Sequence, residues 1–573
     1  MEPTELDLVT QVASQTPLIA ALLDKLRVRE VIDNLLPKHC LAKVSDAACV
    51  EAMILGVLCD RVALWRIDES LEHLDLELIF GKDVEASHFN DTRLGLALDH
   101  IDAAGCDNIL SAIVLKYLAD KSEDPISVHL DHTSVSLYGN YRDAPEPTPR
   151  HGFSKDHRPD LKQLVFGMSV HGSSGIPLTA GFADGNTSDH AGNRDHLRRL
   201  ATLLPSSQVV TIVADCKLVD ASTLKLLFDN GFHFVSLVPD SYKLRSEMVA
   251  KAWEKCAKAS DWPILAQKPG DKASDPPSYY RGMSFEGDFS LPSEKHGESE
   301  FRTLRCLVVH SDSLAGGFDS NLPAKMKKEA DSVMSRLNPI LSRGFACQED
   351  AMRTTLQMVK KLTYHRCEIS IAKVELPPKG NRPGRRKKTE PLPETEVCWT
   401  PSVRLIPDEE AIQKERSEAS CFVLVSDWDE KQWSDEKVLA EYRHQSLIEG
   451  HTGFRWLKGP AAVAPIMLEN TNRIRAMGLV MMLALMVRNY LQHTLREEMM
   501  RRKSAILHPI RKRADPKLTT EMALVWLSGI ITVQLRLPDG RLRRLPPTLR
   551  PEAMKILDML GLSPEIYVRP RIT

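Results

Sequence analysis

The stretch Ile126–Tyr141, ISVHLDHTSVSLYGNY, decides how the chain is read. Ile126, Val128 and Leu130 alternate with Ser127, His129 and Asp131. A period of two marks a half-buried strand. Asp131 therefore falls on the face opposite the apolar residues, where a carboxylate is costly unless it is paired or binds a cation. Val135, Leu137 and Tyr138 extend the strand, and Gly139-Asn140 ends it as a turn pair. Asp131 is thus a candidate first ligand of a divalent-metal site on a central strand. The plainer alternative is an Asp capping a turn between two ordinary strands.

A second stretch has the same character. Val209-Val210-Thr211-Ile212-Val213-Ala214-Asp215 is a continuous run ending in an acid, the pattern of a strand buried on both faces. Ala221–Asn230 reads as the following helix, closed by Gly231, and Phe232–Val238 as another strand. Asp215 then stands at the carboxyl end of a central strand, the edge where open α/β sheets place their sites. Between the two acids, Leu164–Val170 and Ile176–Phe182 form a hairpin around Gly172–Gly175, and Asp184–His190 is a polar turn capping a helix over 191–204. The order is strand, strand, strand, helix, strand, helix, strand: an α/β fold with a mixed sheet, similar to an RNase H-like core.

Pro145–Gln163, PEPTPRHGFSKDHRPDLKQ, is a proline-broken loop carrying Arg150, Lys155, Arg158 and Lys162 with His151 and His157 among them. A basic loop beside a carboxylate site suits a phosphate backbone; a solvated loop is the bland alternative. Pro377–Pro393 holds Arg382 and the run Arg385, Arg386, Lys387, Lys388, either a DNA-gripping arm or a solvated linker.

With 573 residues, the chain exceeds one domain. Its net charge of −2 excludes a global polyanion-binding surface and leaves only local basic patches. Eleven scattered Cys, with no C-x-x-C, fit a reducing cytoplasm rather than a disulfide framework or structural zinc. No signal-peptide pattern opens the chain. The apolar run Ala476–Val487, bounded by Arg475 and Arg488, is short for a membrane span and reads as a core helix.

These features divide the chain into five parts. Residues 1–120 form an all-α N-terminal domain that binds DNA, dimerises or simply packs. Residues 121–240 are the first part of the core, 241–420 a mostly β insertion with a charged helix over 325–337, and 421–500 the rest of the core. Residues 501–573 are a helical tail.

In the last core part, Cys421–Ser426 is a strand followed by Asp427, and Ser434 caps a helix bearing Tyr442, Gln445 and Glu449 on one face. Glu449 there is either a metal ligand or part of a charged surface helix. Phe454–Pro460, FRWLKGP, adds Arg455 and Lys458 behind it.

The chain resembles the DDE transposases of bacterial insertion sequences, in the group with a β-strand insertion between the second Asp and the Glu. The residues that carry this are HLDHTSVSLYG around Asp131, GFSKDHRPDLKQ at 152–163, GNTSDH at 185–190, VADCKL around Asp215, and YRHQSLIE ending at Glu449 with FRWLKGP behind. The resemblance spans about residues 120–490 and extends to the N-terminal helical region. It implies phosphodiester hydrolysis and strand transfer at the ends of an insertion sequence, in a cut-and-paste reaction. Asp131, Asp215 and Glu449 would hold two Mg²⁺ ions, with Mn²⁺ as a substitute. Tyr442, Gln445, Arg455, Lys458, Lys155, His157, Arg158, Lys162 and Arg385–Lys388 would contact DNA. Trp456 would stack on a flipped base or pack in the core.

Double-stranded DNA, both terminal inverted repeats and target, would be the partner. A homodimer would form on paired ends, in the bacterial cytoplasm at the nucleoid, with no membrane. Two departures bear on Glu449. Gln445 stands where the family's Tyr-Arg-Glu-Lys signature has Arg, and Lys458 comes two residues late. Gly450 and Gly453 in the interval predict a helix break; counted back from Lys458, the acid slot falls on His451. Glu441 and Asp427 are the next candidate ligands. A metal-dependent nuclease without strand transfer and an inactive DNA-binding relative are the alternative functions.

Overall fold

The computed structural model describes residues 7–60, 62–119, 126–141, 145–155, 157–270, 276–292, 299–341, 344–359, 362–376, 396–450, 453–459, 468, 470–536 and 542–572. The strands, numbered in chain order, are β1 Asp7–Val12, β2 Ile126–Leu137, β3 Lys162–His171, β4 Pro177–Ala183, β5 Val210–Ala214, β6 His233–Leu237, β7 Ile264–Lys268, β8 Ser278–Pro292, β9 Ser299–Ser311, β10 His365–Leu376, β11 Glu396–Pro407, β12 Cys421–Ser426, β13 Ile531–Arg536 and β14 Leu542–Leu545.

Nine of these strands form one mixed sheet in the order β4-β3-β2-β5-β6-β12-β9-β8-β7. β2, β5 and β6 are parallel neighbours. Their β-branched and aromatic runs, buried almost throughout, match strands covered on both faces. β3 returns antiparallel beside β2, and β4 beside β3, through the Gly172–Gly175 turn. The helix Asp189–Leu203 and the helix Ala221–Asp229 make the crossovers into β5 and β6. On one face, Val213, Val235, Leu307, Leu424, Trp428, Trp433, Val438 and Leu439 form a core under the helix Asp435–Arg443.

The stretch 241–420 is not a separable, mostly β insertion. β7, β8 and β9 continue the main sheet beyond β12. The stretch also carries four helices: Lys243–Lys255, Asp312–Leu341, Gln348–Met358 and Glu409–Ala419. The helix Asp312–Leu341 keeps Pro323 and Pro339 inside it, so it runs past the expected stop at 337. Among the described strands of this stretch, only the β10–β11 ribbon stands outside the sheet. Its base packs on Val333, Leu337 and Val359.

The expected all-helical N-terminal region and helical tail are one structure, with strands in both. β1 pairs with β13, which pairs with β14. Arg544 binds the buried Asp75 at 2.8 Å, and Arg571 binds the buried Glu51 at 2.8 Å. The C-terminal segment thus neutralises acids buried in the N-terminal helices. Partners this far apart in sequence leave no local signal.

The helix Thr471–Arg501 is longer than the apolar run inside it. By length and composition it could cross a membrane, but 78% of its apolar window is buried inside the fold. It lies among the N-terminal helices, tied by Arg473 to Asp99 and Arg475 to Asp102, each bidentate.

Candidate active site

The parallel ladder between β2 and β5 ends at the pair His129 and Val213. Asp131 and Asp215 each stand two residues further on, Asp131 still within β2 and Asp215 just past the end of β5. Asp215 leaves β5 into a short turn, where its side chain accepts from the Lys217 N–H at 3.0 Å and its carbonyl from the Ser236 hydroxyl at 2.7 Å. Asp131 accepts the backbone N–H of His132 at 2.7 Å.

The third acid is brought in by a clamp. His129 shares a face of β2 with Asp131 and is fully buried. Its ring lies 3.2 Å from Glu441 Oε1 and 3.1 Å from Gln445 Oε1. Gln445 also donates through Nε2 to the Leu130 carbonyl at 3.1 Å. Glu441, Gln445 and Glu449 recur every four residues, so the face that grips residues 129 and 130 carries Glu449 one turn on, toward Asp131. The helix is interrupted between Arg443 and Ser446 and ends at Glu449. Gly450 follows, and a new turn of helix begins at Phe454, so the expected break is present. A Cβ at Gly453 would lie 1.9 Å from the Ile448 carbonyl oxygen, so this tight return admits only glycine.

The acids feel one another. Burial pushes the Asp131 carboxyl up to about 7; Lys155 and the His132 N–H oppose the rise, while Asp215 and Glu449 add to it. Asp215 is raised by burial, opposed by the Lys217 N–H, with Asp189 adding to the rise. Glu449 is raised by burial and by Asp215, with Lys155 opposing. Burial, then Asp215 and Glu449, raise the Tyr442 phenol. Glu441 behaves differently: burial opposes its ionisation, but hydrogen bonds from His129 and Ser127 outweigh that and hold it low.

Inside this group lies one ammonium. Lys155 Nζ donates to the His132 carbonyl at 2.6 Å and stands 3.9 Å from Asp131 Oδ1 and 3.8 Å from Asp189 Oδ2. Among the described residues, no three His, Cys, Asp or Glu side chains stand close enough to grip one metal ion. The donors are nonetheless hard oxygens whose ionisation is disfavoured by burial and by one another, and a hard divalent cation would relieve that. Behind β2, buried His132 and His196 meet edge to face at 5.2 Å, with Thr179 bonded to His196 at 2.9 Å. Burial pushes His132 down to about 4 and His196 well below its usual range.

Asp131, Asp215, Glu449 and Tyr442 thus influence one another's ionisation without three of the acids gathering around one point, and the structure replaces the expected role of Gln445. That side chain is buried and spent on His129 and Leu130, so it is a clamp rather than a DNA contact. Of the reserve ligands, Glu441 is spent on His129, and Asp427 is bound to His233 and the Phe234 N–H, on the other side of β6 from β5.

Arg158 forks onto Asp160 and reaches Tyr138 at 3.3 Å, Lys162 bonds the Asn140 carbonyl, and His157 and Arg455 are exposed. Lys458 and Arg158 line an apolar cavity of about 290 Å³ with Phe166, Phe182 and Phe454. Trp456 is half-buried in the main core with Arg488 over its ring, a packing role. Arg385, Arg386, Lys387 and Lys388 lie outside the described residues. Sequence reading missed Asp189, taken as part of a helix cap, although the GNTSDH turn was singled out. It also missed that Lys155 points inward.

Residues 9–115 match a family described as a domain of unknown function, DUF4277. No protein of curated function matches the chain. Among solved structures, the chain has a partial likeness to the piggyBac transposase in its synaptic complex with hairpin DNA, at 9% identity and a TM-score of 0.25. That match covers 50% of this chain and 60% of the other, and it is too remote to carry an argument.

Proposed function

We propose that this chain is a DDE-type DNA transposase, cutting and joining phosphodiesters at the ends of an insertion sequence. The observation that carries the reading is the placement of Asp131 and Asp215 two residues past the last pair of the neighbouring parallel strands β2 and β5, with the helical segment ending at Glu449 held against β2 by Gln445 and His129. The strand order β4-β3-β2-β5-β6, with crossover helices before β5 and β6, supports an RNase H-like core.

Asp131, Asp215 and Glu449 would hold Mg²⁺, or Mn²⁺ in its place; the metal supplies activation of the attacking water or 3′-hydroxyl and stabilisation of the leaving oxygen. The protein's own part is positional. Gln445 and His129 fix the helix that presents Glu449. Tyr442, beside Asp215 and Glu449, keeps its proton and remains a hydrogen-bond donor for a phosphate oxygen. Lys458 and Arg158, on the apolar cavity beyond Thr133, offer charge to the strand leaving the site.

A joining assay tests this. A labelled duplex with a recessed element end is incubated with target plasmid, protein and Mg²⁺. Transfer of label to the plasmid supports the transposase. Cleavage without joining supports a nuclease, and binding without either supports an inactive relative.

A further inference from the structure

Lys155 sits where a cation belongs. Three oxygens surround its ammonium: the His132 carbonyl at 2.6 Å, Asp189 Oδ2 at 3.8 Å and Asp131 Oδ1 at 3.9 Å. Its charge counters the repulsion at Asp131, Asp215 and Glu449 alike. The backbone that carries it is pinned, because the Lys155 N–H donates to Ser134 Oγ at 3.0 Å. The loop is pinned again where Gln163 Nε2 donates to the carbonyls of Phe153 at 3.2 Å and Gly185 at 2.8 Å. The side chain itself is 38% exposed, so the four-carbon stem has a way out to water.

We propose that Lys155 is a displaceable counter-ion. Its ammonium neutralises the acid cluster in the metal-free protein and is expelled when a divalent cation binds; Asp189 is the fourth acid that holds it there. The inference rests on reading Asp131, Asp215 and Glu449 as metal ligands.

The physical reason is competition. A divalent ion at Asp131 and an ammonium within about 4 Å of the same carboxylate repel strongly in a partly buried site. The lysine is the party free to leave, being a hydrated point charge on a flexible stem. Until it leaves, the ammonium occupies space beside Asp131 and Asp189 that a cation bound there would need. Once expelled, the ammonium remains tethered to β2 at the mouth of the site. There it meets the phosphate oxygen that the metal also needs, so metal binding and phosphate capture become coupled.

The test is Mn²⁺ affinity, read from the free-ion paramagnetic resonance signal, for the full-length wild type, Lys155→Met, Lys155→Arg and Asp131→Asn. Cooperative unfolding of each variant is recorded beside it. Removing the competing charge should tighten Mn²⁺ binding at least about tenfold in Lys155→Met. Lys155→Arg should stay near wild type, and Asp131→Asn should lose binding. Equal or weaker binding by folded Lys155→Met, with binding still lost in Asp131→Asn, would overturn the counter-ion and leave the acid site standing. Tightening in Lys155→Arg as large as in Lys155→Met would also overturn it. No Mn²⁺ binding by any of the four would overturn both the counter-ion and the metal site.

Discussion

Asp131→Asn should destroy the chemistry and stabilise the protein. The carboxyl is raised from 3.8 to about 7, mainly by burial. At ~1.36 kcal/mol per pKa unit, the ionised form costs the fold up to about 4 kcal/mol. The side chain is 19% exposed, and water reaching it lowers the working figure to about 2 kcal/mol.

Asp131's folded value lies above its unfolded one, so the folded state binds this proton more tightly. The carboxyl is best tolerated below its unfolded value, and its stability contribution is lost as pH rises through about 7. The advantage of Asn should therefore be near full at pH 8 and smaller at pH 5. His132 has the opposite sign. It is depressed to about 4, so its contribution is complete above its unfolded value of 6.5 and is lost as pH falls toward 4. In wild type the two trends oppose each other. In Asp131→Asn the His132 loss stands uncompensated, and stability should fall more steeply between pH 7 and 5.

The assay is equilibrium urea unfolding followed by tryptophan fluorescence, in chelator, at both pH values. A denaturant midpoint suits this long chain. At ~2.1 cal/mol/K of unfolding entropy per residue, 2 kcal/mol moves Tm by only about 2 °C. An Asn variant less stable than wild type at pH 8, or equally shifted at both pH values, would refute the reasoning.

Other outcomes follow from the same contacts. Gln445→Ala leaves the buried His129 ring and the Leu130 carbonyl short of a partner, and should cost about 3 kcal/mol in unfolding measurements while lowering cleavage at saturating metal. Glu449→Gln should abolish metal-dependent cleavage with the fold intact. Asp427→Asn should lower stability through His233 and spare the chemistry, so unchanged cleavage by Glu449→Gln would move the ligand elsewhere. Gly167→Ala places a Cβ 2.2 Å from His196 Nε2 and 2.7 Å from His132, and should cost about 2 kcal/mol on urea unfolding. Arg571→Ala leaves the buried Glu51 without a main partner, and should cost about 3–5 kcal/mol, seen as earlier unfolding and faster proteolysis of the N-terminal helices.

The strands around the two Asp residues were legible because each carries its own local pattern: alternation in β2, β-branched runs in β5 and β6, and a glycine turn between β3 and β4. The break after Glu449 was legible from Gly450 and Gly453. What failed depended on partners far away in sequence. β1 is six residues whose mate is β13, near the other end of the chain. The stretch 241–420 read as a separate β insertion, and nothing in β8 or β9 tells that β12 will dock beside β9 and make them part of the core sheet. Gln445 read as a DNA contact in the place of the family's Arg until His129 on β2 was placed against it. Lys155 illustrates the same limit, since a lysine in a basic loop points outward by default, and only folding shows that the loop turns it onto Asp131 and Asp189.

The central claim is that Asp131, Asp215 and Glu449 form one metal-dependent phosphodiester site. Its most direct test is nucleotide-level mapping of breaks in a plasmid carrying the gene with its native flanking DNA. Purified wild type is compared with Asp131→Asn and Asp215→Asn, with Mg²⁺ and with chelator. The account predicts breaks at two fixed, inverted boundaries in wild type with Mg²⁺ only, and none in either variant although both still bind the boundary DNA. Breaks that persist in Asp131→Asn or Asp215→Asn, or that form in chelator, would contradict it.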